Sequence, residues 1–146
     1  MVEKNKMKIT FKSKSDNVPF SRVVVGSFVS QLDPNLEQLA DIKTAVSEAV
    51  TNAVIHAYDD ENGDIDISCT LFDDLIEIEI SDFGKGIDDL SKARQPFYST
   101  VQSDERSGMG FTLMEMFSDE LNVTSQRGVG TQVVIKKSLR EIFGDQ

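Results

Sequence analysis

Glu48-Ala49-Val50-Thr51-Asn52 lies inside a run, from about Asn35 to Ala57, whose apolar residues recur at Leu36, Leu39, Ile42, Val46, Ala49, Val50, Ala53 and Ala57. That spacing predicts one long amphipathic helix with a stripe wide enough to lie on a sheet. Glu48 and Asn52 are four residues apart, so they stack one turn above the other, toward the polar side. A carboxylate and a carboxamide placed this way offer oxygens to one point, as a hard cation such as Mg²⁺ or a proton transfer requires. Taken alone, E-x-x-x-N also describes an ordinary polar helix face.

Outward from this helix the pattern predicts alternating elements. On the N-terminal side Asp33-Pro34 breaks the chain, and a helix over about Val18–Leu32 carries Phe20, Val23, Val24, Phe28 and Leu32, with Arg22 on its more polar side. Ser15 or Asn17 is its candidate cap, with Pro19 near the first turn. Met7–Ser13 alternates weakly and reads as an edge strand. On the C-terminal side a polar turn leads to two strands, Asp64–Phe72 and Leu75–Ser81, joined by Asp73-Asp74 as a tight antiparallel hairpin. The segment from Asp88 to Ser107 is polar and irregular, and a segment of that length in a compact domain is commonly a lid. Gly108–Phe117 reads as a helix, and Leu121–Ser125 with Gly130–Lys136 as the closing strands, Gly128 in their turn. The tail beyond Ser138 reads as a short helix or frayed end.

Composition bounds the answer. The chain has 146 residues, 39% hydrophobic and 27% charged, which predicts a single globular domain over 1–146. No apolar run approaches the roughly 20 residues that span a bilayer, and Met1–Lys8 lacks the apolar centre of a secretion signal, so no membrane partner is expected. The single Cys69 rules out an internal disulfide and fits a reducing cytoplasm, and its place in a strand alternation makes it a packing residue. Fifteen basic against 25 acidic residues give a net charge of −10, which argues against nucleic acid as the main ligand. The same charge suits a basic protein partner.

Two glycine-bearing motifs follow the helix. Asp82-x-Gly84-x-Gly86 sits directly after a strand, where an aspartate can accept from a ligand amino group and glycines permit close backbone approach. A plain glycine-rich turn gives the same text. Ser107-Gly108-Met109-Gly110-Phe111 opens a helix whose backbone N–H groups can face an anion, and Arg106 just before it adds a forked cation suited to a terminal phosphate. Gly130-Thr131 starts the last strand, where the threonine can reach the same pocket or be structural. Neither G-x-x-x-x-G-K-[ST] nor G-x-G-x-x-G occurs. His56, the one histidine, lies one turn past Asn52 and is read as structural, as are Met109, Met114 and Met116. Phe97 and Tyr98 are read as closing the lid.

The order E-x-x-x-N, D-x-G-x-G, lid, S-G-x-G-F and a late G-T, running from Thr44 to Ile135, resembles the GHKL ATPase superfamily of gyrase B, Hsp90, histidine kinases and MutL. Within it, the text SEAVTNAVIHAY, ARQPFYST and ERSGMGFTLMEMF resembles the anti-sigma factor serine kinases of sporulation, which have relatives in the general stress response. The resemblance implies an α/β two-layer sandwich with a mixed, mainly antiparallel sheet, helices on one face, and a lid over about residues 88–107. It implies ATP or ADP and Mg²⁺ as ligands, with Asn52 on the metal and Glu48 as general base toward a serine hydroxyl. Asp82 would accept from the adenine amino group, Gly84, Gly86 and Thr131 would shape that wall, and Arg106, Ser107, Gly108 and Gly110 would hold the phosphates. Arg22 matches a sigma-binding position. The implied activity is protein serine kinase and anti-sigma factor, with a sigma factor and an anti-anti-sigma substrate as partners and a homodimer as the assembly. Two rivals stand: an anti-sigma module whose nucleotide is only structural, and a stand-alone ATPase of the Hsp90 or MutL type.

Overall fold

The computed structural model describes residues 2–94 and 110–140. Five strands form one sheet: β1 (Asn5–Lys12), β2 (Asp64–Leu71), β3 (Leu75–Asp82), β4 (Glu120–Gln126) and β5 (Gly130–Ser138), in the order β1-β2-β3-β5-β4. All four pairings are antiparallel, so the mainly antiparallel sheet expected from the sequence contains no parallel pair among the described residues. Asp73 and Asp74 make the tight turn between β2 and β3, closed by the Phe72 N–H donating to the Leu75 carbonyl at 2.9 Å.

The register explains the two faces. One set of rows runs Ile9–Ile67–Ile80–Val133–Val123 and Met7–Cys69–Ile78–Ile135–Leu121 across the sheet. The central residues of both rows are buried and form the core with Val25, Val29, Ile42, Ala45, Val46, Ala49 and Val50 of the helices. The alternate set, such as Thr10–Asp66–Ser81–Gln132–Thr124, is polar and bears cross-strand contacts including Thr10 Oγ1 to Asp66 at 2.7 Å. A period of two therefore puts most large apolar strand residues under the helices and leaves the other face mainly hydrophilic, with Leu75 and Val134 as its half-buried apolar members.

Four α-helices are described: α1 (Asn17–Val29), α2 (Leu36–Asn52), α3 (Leu90–Ala93) and α4 (Gly110–Met116). Among them α2 is central, packed on α1, α4 and the sheet. It starts in a capping box, Asn35 accepting from the Gln38 N–H while the Gln38 side chain accepts from the Asn35 N–H. Its stripe is buried as expected except on the first turn, where Leu36 is 85% exposed and Leu39 is half-buried against the core. The helix does not continue in α geometry to Ala57. Residues Ala53–Ala57 form a π turn, a local widening common where a helix meets a functional loop.

Other expectations on α1 and α4 are corrected. Neither Ser15 nor Asn17 caps α1, and the Asn17 amide instead donates to the Lys12 carbonyl at 2.9 Å. The inward ridge of α1 is Ser21, Val25, Gly26 and Val29, small residues that let α2 approach, so Phe20 and Val23 are turned out. Met114 is buried but Met116 is 63% exposed. Met109, Phe97 and Tyr98 lie outside the described residues, as does the tail over 141–146.

Candidate functional site

The row of the sheet nearest its end runs Phe11–Ile65–Asp82–Thr131–Ser125. It faces the helices like the apolar rows, but from β3 outward its side chains are polar. Asp82 is thus a carboxylate at a core-facing position, only 9% exposed. Its Oδ1 accepts from the backbone N–H of Gly84 at 3.1 Å and of Thr131 at 3.2 Å. No described residue donates to Oδ2, which leaves one carboxylate oxygen available to a ligand donor. Burial pushes the Asp82 carboxyl above the ordinary aspartate range, and the two backbone donors pull the other way.

The glycines around Asp82 are set by close backbone packing. A Cβ at Gly84 would drive into the carbonyl oxygen of Ala57, and one at Gly130 into that of Asp82. Gly84 and its neighbours therefore lie directly on the π turn that ends the α2 segment, and the Lys85 N–H donates to the same Ala57 carbonyl at 2.9 Å. Gly86 follows in the left-handed region at φ 78°.

Thr131 is tied to Ser125, their hydroxyls 2.8 Å apart. Ser125 also accepts from the Ile87 N–H at 2.8 Å and lies 3.2 Å from the Gly130 carbonyl, so one hydroxyl joins β4, β5 and the loop after Gly86. A concavity of about 370 Å³ at this end of the sheet is lined by Ser81, Thr124 and Gln132 of the hydrophilic face together with Phe83, Val129 and Gly130, so it opens on the side away from the helices and is not the space in front of the Asp82 carboxylate.

Glu48 and Asn52 are half-buried on the last turns of α2, immediately before the π turn. The π turn thus links the Glu48/Asn52 face to the Asp82 loop. Gly110 is the buried first residue of α4, which packs on α2. Arg106, Ser107 and Gly108 lie outside the described residues, with most of the expected lid, of which α3 is the described part. Arg22 is half-buried: its Nη1 donates to Ser47 Oγ at 2.8 Å and the Lys43 carbonyl at 3.3 Å, pinning α1 to α2 beside Glu48.

The donor set fits a nucleotide carrying its own metal. No cluster of three or more His, Cys, Asp or Glu able to hold a cation occurs among the described residues. Mg²⁺ is commonly held by one or two protein oxygens plus phosphates, which Asn52 and a triphosphate would supply. The buried Asp82 oxygen fits a base amino group.

Sequence reasoning missed Tyr58 and Ser125. Tyr58 follows the π turn, and its hydroxyl touches both Asp64 and Phe83. No local motif marks either residue, because their partners are set by strand register.

Residues 11–137 match the histidine kinase-like ATPase domain family. An anti-sigma F factor of Clostridium novyi (strain NT) is 52% identical, over 94% of this chain and 97% of its own length. The chain belongs to this family. A second anti-sigma F factor, from Caldanaerobacter subterraneus subsp. tengcongensis, is 53% identical over 91% of this chain and 93% of that protein. The fold matches a structure of RsbU and RsbW domains from Mycobacterium tuberculosis at a TM-score of 0.70 and 20% identity, over 94% of this chain and 34% of that one. Membership of a kinase-like ATPase family implies a nucleotide site. No described helix is long and apolar enough to cross a membrane.

Proposed function

We propose that this protein is an ATP-dependent protein serine kinase that also binds and inhibits a sporulation sigma factor. One observation carries the nucleotide part: a core-facing carboxylate, Asp82, whose Oδ1 is held by two backbone donors while Oδ2 accepts from no described residue. That geometry suits an adenine amino group, with Thr131 beside it. Asn52 would hold Mg²⁺, which when bound neutralises charge on the phosphates. Glu48 would take the proton from the serine hydroxyl of an anti-anti-sigma protein as its oxygen bonds to the γ-phosphorus and ADP leaves. Arg106, Ser107, Gly108 and Gly110 would hold the phosphates through a guanidinium and backbone N–H groups.

The sigma partner is inferred from the names of relatives about half identical in sequence over nearly the whole chain, and the anti-anti-sigma substrate from the resemblance to the sporulation serine kinases. Arg22 would contribute to the sigma-binding surface, the protein acting as a cytoplasmic homodimer. Because Arg22 packs beside Glu48 through Ser47, nucleotide at the α2 face and sigma at α1 share one helix pair.

The test is transfer. Labelled ATP, Mg²⁺ and an anti-anti-sigma protein should yield label on a partner serine, absent with Glu48→Ala. Intact ATP binding with no label on any partner would replace the kinase with a nucleotide-dependent binding module. Steady hydrolysis without a protein substrate would favour a stand-alone ATPase.

A further inference from the structure

We propose that Tyr58 is a positioning residue that sets the base selectivity of the nucleotide site, its hydroxyl holding the Asp82–Phe83 peptide against the start of β2. The proposal rests on reading Asp82 as the acceptor for the adenine amino group.

The proton positions at Tyr58 follow from the partners alone. The Asp64 carbonyl can only accept, so the Tyr58 hydroxyl donates to it, at 2.6 Å. The Phe83 N–H can only donate, so the same oxygen accepts it, at 2.7 Å. One donor and one acceptor are both used, and the rotor has no alternative. Burial, with the nearby Asp82, Asp64 and Asp66 charges, raises the phenol further from ionising, so it stays a donor at neutral pH. The ring is seated as firmly as the hydroxyl. It passes over Gly63, where a Cβ would collide with its ring carbons.

The consequence falls on Asp82. The peptide joining Asp82 to Phe83 is gripped at its N–H by Tyr58 and at its carbonyl by the close approach of Gly130. Two residues on, Lys85 is fastened to Ala57, the residue before Tyr58. The backbone that carries the carboxylate is therefore fixed from both sides. The bonds to Gly84 and Thr131 then choose which oxygen is left for a ligand. Without the hydroxyl, Phe83 and Asp64 take water and the peptide is freed to turn. The 6-amino group then loses a fixed acceptor, while ribose and phosphates keep their contacts.

The experiment compares two ligands on the full-length chain: ATP and purine riboside triphosphate, which lacks only the 6-amino group. Wild type should prefer ATP by about tenfold or more, the ratio expected of one hydrogen bond to a charged group. Tyr58→Phe keeps the ring and should bring that preference to within about threefold while still melting cooperatively. Gly63→Ala displaces the ring and leaves Asp82 untouched, and it should lower the preference in the same way. A purely structural Tyr58 would weaken both ligands equally, so an unchanged preference in both variants overturns the proposal. Wild type that binds the two ligands alike would overturn the reading of Asp82 itself, and the proposal with it.

Discussion

Asp82→Asn separates what the carboxylate does for the fold from what it does for a ligand. The amide is the same shape, and its oxygen can take the place of Oδ1, accepting from Gly84 and Thr131 as before. The other atom becomes an NH₂ where Oδ2 was, a donor facing a donor. Losing one hydrogen bond to a charged group costs about 1.5–3 kcal/mol, and the opposed donors add about 1 kcal/mol more. Affinity for ATP should therefore fall by roughly a hundredfold to a thousandfold. Folding should move the other way. Burial raises the native Asp82 carboxyl above its unfolded value, so between the two the native state holds more protons. Its contribution to stability is complete below the unfolded value and is lost as pH rises through the raised one. The asparagine has no such window. Asp82→Asn should gain on wild type through weakly acid pH and remain at least as stable at neutrality. Chemical denaturation at several pH values gives the stability curve, and calorimetric titration of ATP gives the affinity. A variant that binds ATP within threefold of wild type, or that fails to fold at neutral pH, refutes this account of the carboxylate.

Glu48→Gln should keep nucleotide affinity within about threefold yet slow phosphoryl transfer to the partner by roughly 10²–10⁴-fold, read in a single-turnover assay. Gly130→Ala drives a Cβ toward the Asp82 carbonyl at φ 139° and should cost about 2 kcal/mol or more, read as a lowered denaturation midpoint. Cys69 is fully buried and its thiol is pushed up to about 12, so at pH 8 only about one part in ten thousand is thiolate. It should resist a thiol reagent until the chain unfolds, and labelling at the rate of a free thiol in native buffer would contradict that burial.

What was legible in the sequence depended on how local its cause is. Ile67, Cys69 and Leu71 against Ile80, Ile78 and Ile76 state a half-buried hairpin by period alone, and the structure pairs them residue for residue. The stripe of α2 is equally local, whereas the Asn35–Gln38 capping box that starts it emerged only from the structure. The π turn was not readable, because Ala53 and Ala57 fit an α-helical stripe as well as a widened one. Exposure of Leu36 and the half-burial of Arg22 are set by packing between elements, for Arg22 by how closely small α1 residues bring the helices together. Asp82 was picked out by its motif, but the donors that hold it come from Gly84 nearby and Thr131 far along the chain. Ser125 and Tyr58 carry no local signal, since what each touches is decided by strand pairing.

The row Phe11–Ile65–Asp82–Thr131–Ser125 gives the polar pocket and the oily interior a shared alignment. Sliding β3 by a single residue would throw Asp82 to the wet side and Ile80 with it. A molecule that seats on Asp82 accordingly rewards only chains whose strands are threaded correctly, and adds its binding energy to that arrangement alone. Such a ligand proofreads the fold, and a misaligned copy is marked by its failure to hold one.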